Sequence, residues 1–411
     1  MKILVISESI NVEDSSGSKV NVALISNLQK AGFQLKVLHY THQEIQLEGI
    51  ECVWLKENKI SINYLLSRAV RVFQRHTKIY INTHLEKIFG FSFTHTNDTH
   101  SIKKGIKKHL DFNPDLVLTL SKGSSFRPHR ALLQLPELHT KWMAYIHDPY
   151  PFHMYPRPYN WVEKSYEVKE AFVLAITQKS AHLAFPSLLL KEWMESYFPE
   201  VAHKSVIIPH QIKTETQAAP LPDFFIRNEF SLLHAGNLLR QRNPKFLIEG
   251  FLRFLDNHSS ARSEAKLYLI GNHSCHESVL QPYLNHPNII IKDYLEYKTV
   301  QSLEKEVSVN IILEAVSEIS PFLPGKFPNC VVANKPILIL GPYYSEVKRL
   351  LGNQYPYWSE ANDVEAIEKN ISDLYAIWKN NPEELRLNRQ DLIDYSTEIN
   401  LKQTLNNILL K

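Results

Sequence analysis

Two cations in the second half of the 411-residue chain stand where a loop runs into a helix, the place where an anion is most readily held. Arg242 follows His234-Ala235-Gly236-Asn237 and precedes Asn243-Pro244 and an apolar helical stretch, Phe246 to Phe254. Asn243 is expected to cap that helix, with Pro244 at its first position. Lys326 lies in the run Ser320-Pro321-Phe322-Leu323-Pro324-Gly325-Lys326-Phe327-Pro328-Asn329, where two prolines and a glycine stiffen the backbone ahead of a second helix. In the first half, His147 and Asp148 close an apolar strand, Trp142 to Ile146, at its carboxyl end, where sites on open α/β sheets lie. The nineteen histidines include no H-x-x-x-H or H-E-x-x-H pattern, and no metal is expected. Cys52, Cys275 and Cys330 are odd in number and far apart, which argues against a disulfide framework or zinc cage and fits a reducing cytosol.

The elements that must position these residues alternate strand and helix. A strand Lys2–Ile6, a Ser15-Ser16-Gly17-Ser18 loop, an amphipathic helix Val20–Lys30 closed by Gly32 and a strand Gln34–Leu38 read as one βαβ unit. Its loop, with Gly17 and Ser18, is a candidate ligand cradle. Residues 1–10 read as a buried strand and not as a signal peptide. Further strands are expected at Leu116–Leu120, Trp142–Ile146, His182–Phe185 and Val206–Ile208. The pattern restarts with strands at Ser231–His234, Lys266–Ile270, Asn288–Ile291, Val309–Leu313 and Pro336–Leu340. The fold class is therefore α/β, with two doubly wound Rossmann-like domains facing a central cleft. The expected division is an amino-terminal domain 1–210, a linker 211–228, a carboxyl-terminal domain 229–390 and a final helix 391–411 packing back on the first domain.

Composition limits the function. Apolar residues make up 44% of the chain and charged residues 22%, enough for packed cores. The net charge is +3, so no nucleic-acid partner is expected. Residues 56–108 are the exception, with eleven Lys or Arg against three acids. Within that segment Tyr64, Leu65, Ala69, Val70, Val72 and Phe73 recur near helical spacing, with Arg68, Arg71 and Arg75 interleaved. An anionic membrane surface is a partner such a basic helix could meet, and a solvated helix is the plainer alternative.

Taken together, the MKILVIS strand, the segment His147–Phe152, the His234–Arg242 stretch and SPFLPGKFPNCVVANKPILIL resemble the GT-B fold and, more closely, the family 4 glycosyltransferases over essentially the whole chain. The resemblance implies that the second domain binds a nucleotide-sugar donor and that Arg242 and Lys326 hold its diphosphate. It also implies that the Ser320–Gly325 loop presents backbone N–H groups to the donor sugar and that His147 lines the sugar and acceptor pocket, with Asp148 orienting it or hydrogen-bonding the acceptor. Gly236, Asn237, Gly271, Asn272, Phe322, Leu323, Pro324 and Asn329 complete the expected donor site. The turn Lys292-Asp293-Tyr294 is expected to border the base. The chain departs from the family pattern in several places: Asn237 replaces an arginine, Arg242 a lysine, and Pro321 and Asn329 a pair of glutamates. Glu318 is then the only nearby carboxylate.

The function expected is transfer of a hexose from a UDP- or GDP-sugar to a saccharide or lipid-linked saccharide in surface polysaccharide synthesis. Retention of configuration and independence of metal are expected, with the protein cytoplasmic or peripheral on the inner face of the plasma membrane. The alternatives are a nucleotide-sugar epimerase and a non-catalytic binding or assembly protein. The aromatic residues Tyr150, Phe152, Tyr155, Tyr159 and Trp161 are candidates for stacking on an acceptor sugar or for plain packing.

Overall fold

Seven strands, all parallel, build the sheet of a first unit: β1 (Lys2–Ser7), β2 (Gln34–His39), β3 (Glu51–Trp54), β4 (Leu116–Leu120), β5 (Trp142–Tyr145), β6 (His182–Phe185) and β7 (Ser205–Ile207). Their order is β3-β2-β1-β4-β5-β6-β7, so the direction of winding reverses between β1 and β4. These elements belong to a computed structural model that describes residues 1–151, 159, 165–212 and 219–409. Strand β4 is buried on both faces, as helices covering each side of a parallel sheet require. One face packs Leu4, Ile6, Val117 and Trp142, the other Ile3, Val5, Leu116 and Leu118. Leu401, Leu405 and Ile408 of the C-terminal helix Glu398–Leu409 join the second of these layers, so the chain ends in the first unit.

The second unit is built on Ile212–Thr397. Its strands are β8 (Phe230–Ala235), β9 (Ala265–Ile270), β10 (Ile289–Lys292), β11 (Val309–Leu313), β12 (Ile319–Ser320), β13 (Ile337–Leu340), β14 (Tyr344–Ser345) and β15 (Trp358–Ser359). Six form a parallel sheet in the order β10-β9-β8-β11-β13-β15, and β12 pairs with β14 alone. The winding reverses here between β8 and β11, which is where an open α/β sheet opens a crevice for ligands.

Several local expectations shift. The Ser15–Ser18 stretch is not a loop: the helix runs Ser16–Lys30, and the Ser15 hydroxyl accepts from the Ser18 N–H as its cap. Pro244 precedes the second-domain helix Lys245–Asn257 instead of opening it, and Asn243 Oδ1 accepts from the Lys245 N–H at 3.0 Å. Of the segment 211–228, residues 213–218 lie outside the described residues. Leu221, Phe224 and Phe225 pack in the second unit, the two rings 6.3 and 5.5 Å from Tyr268. Phe152, Tyr155 and Trp161 also lie outside the described residues. Tyr150 is buried against Phe126, ring centroids 4.9 Å apart, in the core of the first unit.

Candidate active site

At the reversal point of the second sheet, β8 and β11 pair for only two residues, Leu232 with Val309 and Leu233 with Asn310. Beyond Leu233 the strands part, and the Lys326 ammonium fills the gap. Its Nζ donates to the Ile311 carbonyl at 2.7 Å and lies 3.2 Å from His234 Nδ1. Two of its three donors are thereby taken up by the two strands that diverge. The Pro324-Gly325 turn and the short helix Phe327–Ala333 bring Lys326 there, with the Phe327 N–H closing on the Pro324 carbonyl.

Arg242 reaches the same place from the loop after β8. Its guanidinium lies over the Phe322 ring, 5.7 Å from the centroid, and its charge acts on Lys326, His234 and Glu314. The structure brings the two cations to one edge of one sheet, and no acid forms an ion pair with Lys326 among the described residues. Burial is the main reason the Lys326 ammonium is lowered to about 8, and Arg242 adds to the fall while Cys330, Glu304 and Glu314 oppose it. His234 is held well below the usual imidazole range by burial, then by Lys326 and Arg242, so it is neutral. Its Nε2 is buried without a hydrogen-bond partner among the described residues.

Gly236 and Gly271 set the next edge of the site. A Cβ on Gly271, whose φ is +130°, would stand 2.4 Å from the Gly236 carbonyl oxygen, so only glycine lets the two loops pass. The loops are then tied together: Leu238 N–H donates to the Asn272 carbonyl, and Asn272 N–H donates to Asn237 Oδ1 at 3.3 Å. Asn237 spends its side-chain oxygen on that backbone contact.

The expected Ser320–Gly325 loop is more ordered than its composition implies. Ser320 is in β12, and Phe322 and Leu323 are buried, Leu323 in a core with Phe327 and Val331. The expectation that Glu318 is the only nearby carboxylate is wrong. Glu318 is exposed, whereas Glu314, directly after β11, is buried and accepts from the Ser320 hydroxyl at 2.6 Å. Burial raises the Glu314 carboxyl to about 7, against the Ser320 and Ser345 hydroxyls and Arg242, which lower it. The sequence carried a signal for it, since Glu314 ends an apolar strand at the carboxyl edge as His147 does. Asn329 turns to the Tyr297 hydroxyl at 3.2 and 3.3 Å on the neighbouring helix Tyr297–Glu306.

In the first unit, the residues singled out gather at the carboxyl edge near the β1–β4 reversal. A Cβ on Gly17 would lie 3.2 Å from the Gly123 amide nitrogen, and one on Gly123 would lie 3.9 Å from Asp148 Oδ2. Ser18 is buried and shares a 3.0 Å hydroxyl contact with Ser15, so it belongs to the cap. His147 is buried between the Tyr145 and His210 rings, centroids 4.5 and 6.1 Å away, and neither of its nitrogens has a hydrogen-bond partner among the described residues. Burial, then His210 and His129, hold it well below the usual imidazole range, so His147 is neutral. Sequence reasoning missed a buried charged chain here: Arg127 binds Glu8 at 2.5 Å and Asp98 at 2.8 Å, Asp98 accepts from Tyr40, and the Ser125 hydroxyl and Lys122 N–H donate to Glu8.

The Lys326 value gives a direct expectation for anion binding. The ammonium is charged below about 8 and neutral above, so the affinity of this edge for an anion such as a diphosphate is expected to be full at pH 7 and to fall as pH rises through that value. Titrating UDP affinity between pH 7 and pH 10 checks this, and Lys326→Arg, whose charge persists across the range, is expected to flatten the profile.

No protein-family model matches the sequence, and no curated protein does. Solved structures match along the whole chain. Sucrose-phosphate synthase from Thermosynechococcus elongatus has TM-score 0.63 and 11% identity, over 100% of this chain and 98% of that one. WaaG, a glycosyltransferase involved in lipopolysaccharide biosynthesis, has TM-score 0.60 and 12% identity, over 98% of both chains. Anabaena HepE, in complex with UDP and glucose, has TM-score 0.59 and 9% identity, over 100% of this chain and 99% of that one. With identities this low and coverage this complete, the likeness is one of fold, and the fold of this chain is GT-B.

Proposed function

We propose that this protein is a hexosyltransferase that takes a sugar from a nucleoside diphosphate donor, UDP- or GDP-linked, and passes it to a saccharide or lipid-linked saccharide. The observation that carries the reading is the pair of cations, Arg242 and Lys326, meeting where β8 and β11 part. Cleavage of the donor leaves negative charge on the departing diphosphate, and a preorganised guanidinium and ammonium in a partly enclosed site stabilise that charge as it forms. Arg242 offers a planar fork matched to phosphate oxygens, and Lys326 a point charge already fixed by two protein contacts.

On this reading the chain's own cations do what a metal ion does elsewhere, and activity is expected to survive chelation. The neutral His147, with Asp148 nearby in chain, serves the acceptor side, and transfer proceeds with retention. HepE, solved with UDP and glucose, favours a UDP donor, and WaaG, involved in lipopolysaccharide biosynthesis, favours a role in surface polysaccharide synthesis.

A thermal-shift series with UDP-, GDP- and ADP-sugars tests the donor, followed by analysis of sugar incorporated into saccharide acceptors. A ligand at about one hundred times its Kd is expected to add about 2.7 kcal/mol. Absence of a shift with all three classes, or a donor isomerised with no acceptor consumed, would count against transfer.

A further inference from the structure

The helix Ile62–Thr77 in the first unit is turned the wrong way round for a helix that serves only its own core. Asn63, Tyr64, Ser67, Val70 and Gln74 are its buried or half-buried side, and Val70 is the one aliphatic residue among them. That side packs on the helix Phe93–Lys107, where Ser61 Oγ donates to Asn97 Oδ1 and Arg71 to the Thr94 hydroxyl. The apolar positions Ile62, Leu65, Leu66, Val72 and Phe73, also at helical spacing, point away and are 40% to 76% exposed. Among the described residues, nine of the nineteen exposed large apolar side chains fall within 60–88, so the patch is a concentration and not scatter.

Charge decides what covers it. Arg68, Arg71 and Arg75 form a third strip along the same helix, spaced by three and four. None pairs with a carboxylate among the described residues; Arg68 and Arg71 donate to the hydroxyls of Tyr64 and Thr94. The helix beneath ends in Lys103, Lys104, Lys107 and Lys108, which line an open hollow of about 490 Å³. An apolar strip flanked by unpaired cations suits a surface that is greasy within and negative outside. A protein partner would need acids set around an apolar groove, and a second copy of this chain would bring the same cations face to face.

We propose that residues 60–88 dock this protein on an anionic lipid bilayer, with Leu65, Leu66, Val72 and Phe73 entering the acyl boundary and Arg68, Arg71 and Arg75 meeting phosphate headgroups. The docking stands independently of the transferase reading. No described helix is long and apolar enough to cross a membrane, so the contact is made from one side.

Sedimentation of the full chain with vesicles of phosphatidylcholine alone, or mixed with phosphatidylglycerol, tests this. Binding is expected to the mixed vesicles and not to phosphatidylcholine alone. The double substitution Leu65→Glu/Phe73→Glu is expected to weaken it by about tenfold or more, and each Arg→Gln at 68, 71 and 75 by about fivefold. Leu284→Glu, an exposed apolar position of the second unit, is expected to leave it unchanged. A melting transition at the wild-type temperature shows that these variants are folded, and a nucleotide thermal shift measured beside it separates failure of docking from failure of the donor site. Wild type that stays in the supernatant with mixed vesicles would overturn the proposal. So would variants that bind like wild type. A lipid-free dimer that Leu65→Glu/Phe73→Glu turns into monomer would assign the face to a second copy and would also overturn it.

Discussion

Arg242→Ala is expected to lower kcat/KM for sugar transfer by about 10²- to 10³-fold, corresponding to about 2.7–4 kcal/mol, the loss that follows removal of one preorganised donor aimed at developing charge. The guanidinium is held over Phe322 at 5.7 Å, on the edge of the sheet where Lys326 is fixed. Substrate and transition state both carry phosphate, but the charge increases on the departing diphosphate, so the loss is expected more in kcat than in KM. Arg242→Lys keeps the charge and loses the fork, and an intermediate rate is expected. Lys326→Ala is expected to do comparable damage to transfer and additional damage to the fold, because the Ile311 carbonyl and His234 lose their donor where β8 and β11 have already parted. The two losses are not expected to add, since each cation acts on the other. Steady-state kinetics on both single variants and the double variant check this, and wild-type rates for Arg242→Ala would remove the diphosphate site from the mechanism.

The elements that could be read most closely from sequence were those buried on both faces. Leu116–Leu120, His182–Phe185 and Val309–Leu313 are apolar runs, each broken by a single polar residue (Thr119, His182 and Asn310), because a strand in the middle of a parallel sheet has no solvent face to impose a regular alternation. Two of the four edge strands, β3 and β15, escaped for the converse reason. Glu51–Trp54 has one buried residue in four, and Trp358–Ser359 is only two residues long, so neither leaves a periodic signal. At the candidate site, Arg242 and Lys326 were legible because each sits at a loop-to-helix junction. The partners were not. His234 Nδ1 and the Ile311 carbonyl lie within reach of Lys326 where the β8–β11 ladder ends after two pairs, a long-range arrangement that no local pattern encodes. Glu314 was legible only in part: it ends an apolar strand at the carboxyl edge, but its role as the acceptor for Ser320 depends on where β12 lies.

The larger stability effect is expected in the first unit, at a residue that sequence alone gave no reason to choose. Arg127→Met is expected to destabilise that unit by about 3–5 kcal/mol at pH 7, because the substitution leaves two carboxylates enclosed without their cation. Glu8 and Asp98 have side chains only 7% and 10% exposed, and Arg127 is the charge shared between them. Burial already raises the Asp98 carboxyl, with Arg127 opposing that rise before the Tyr40 hydroxyl does. Without the guanidinium the carboxyl moves higher still, so the folded variant binds a proton that its unfolded chain releases. Stability of the variant therefore increases as pH falls, and the deficit relative to wild type is expected to shrink between pH 7 and pH 5. Hydrogen exchange at the β1 and β4 amides reads the opening free energy of this unit without requiring the whole chain to unfold at once. A deficit under about 1 kcal/mol at pH 7 would show the network to be replaceable. A deficit that stays constant down to pH 5 would show that lost packing, and not an orphaned pair of carboxylates, is what the missing side chain costs.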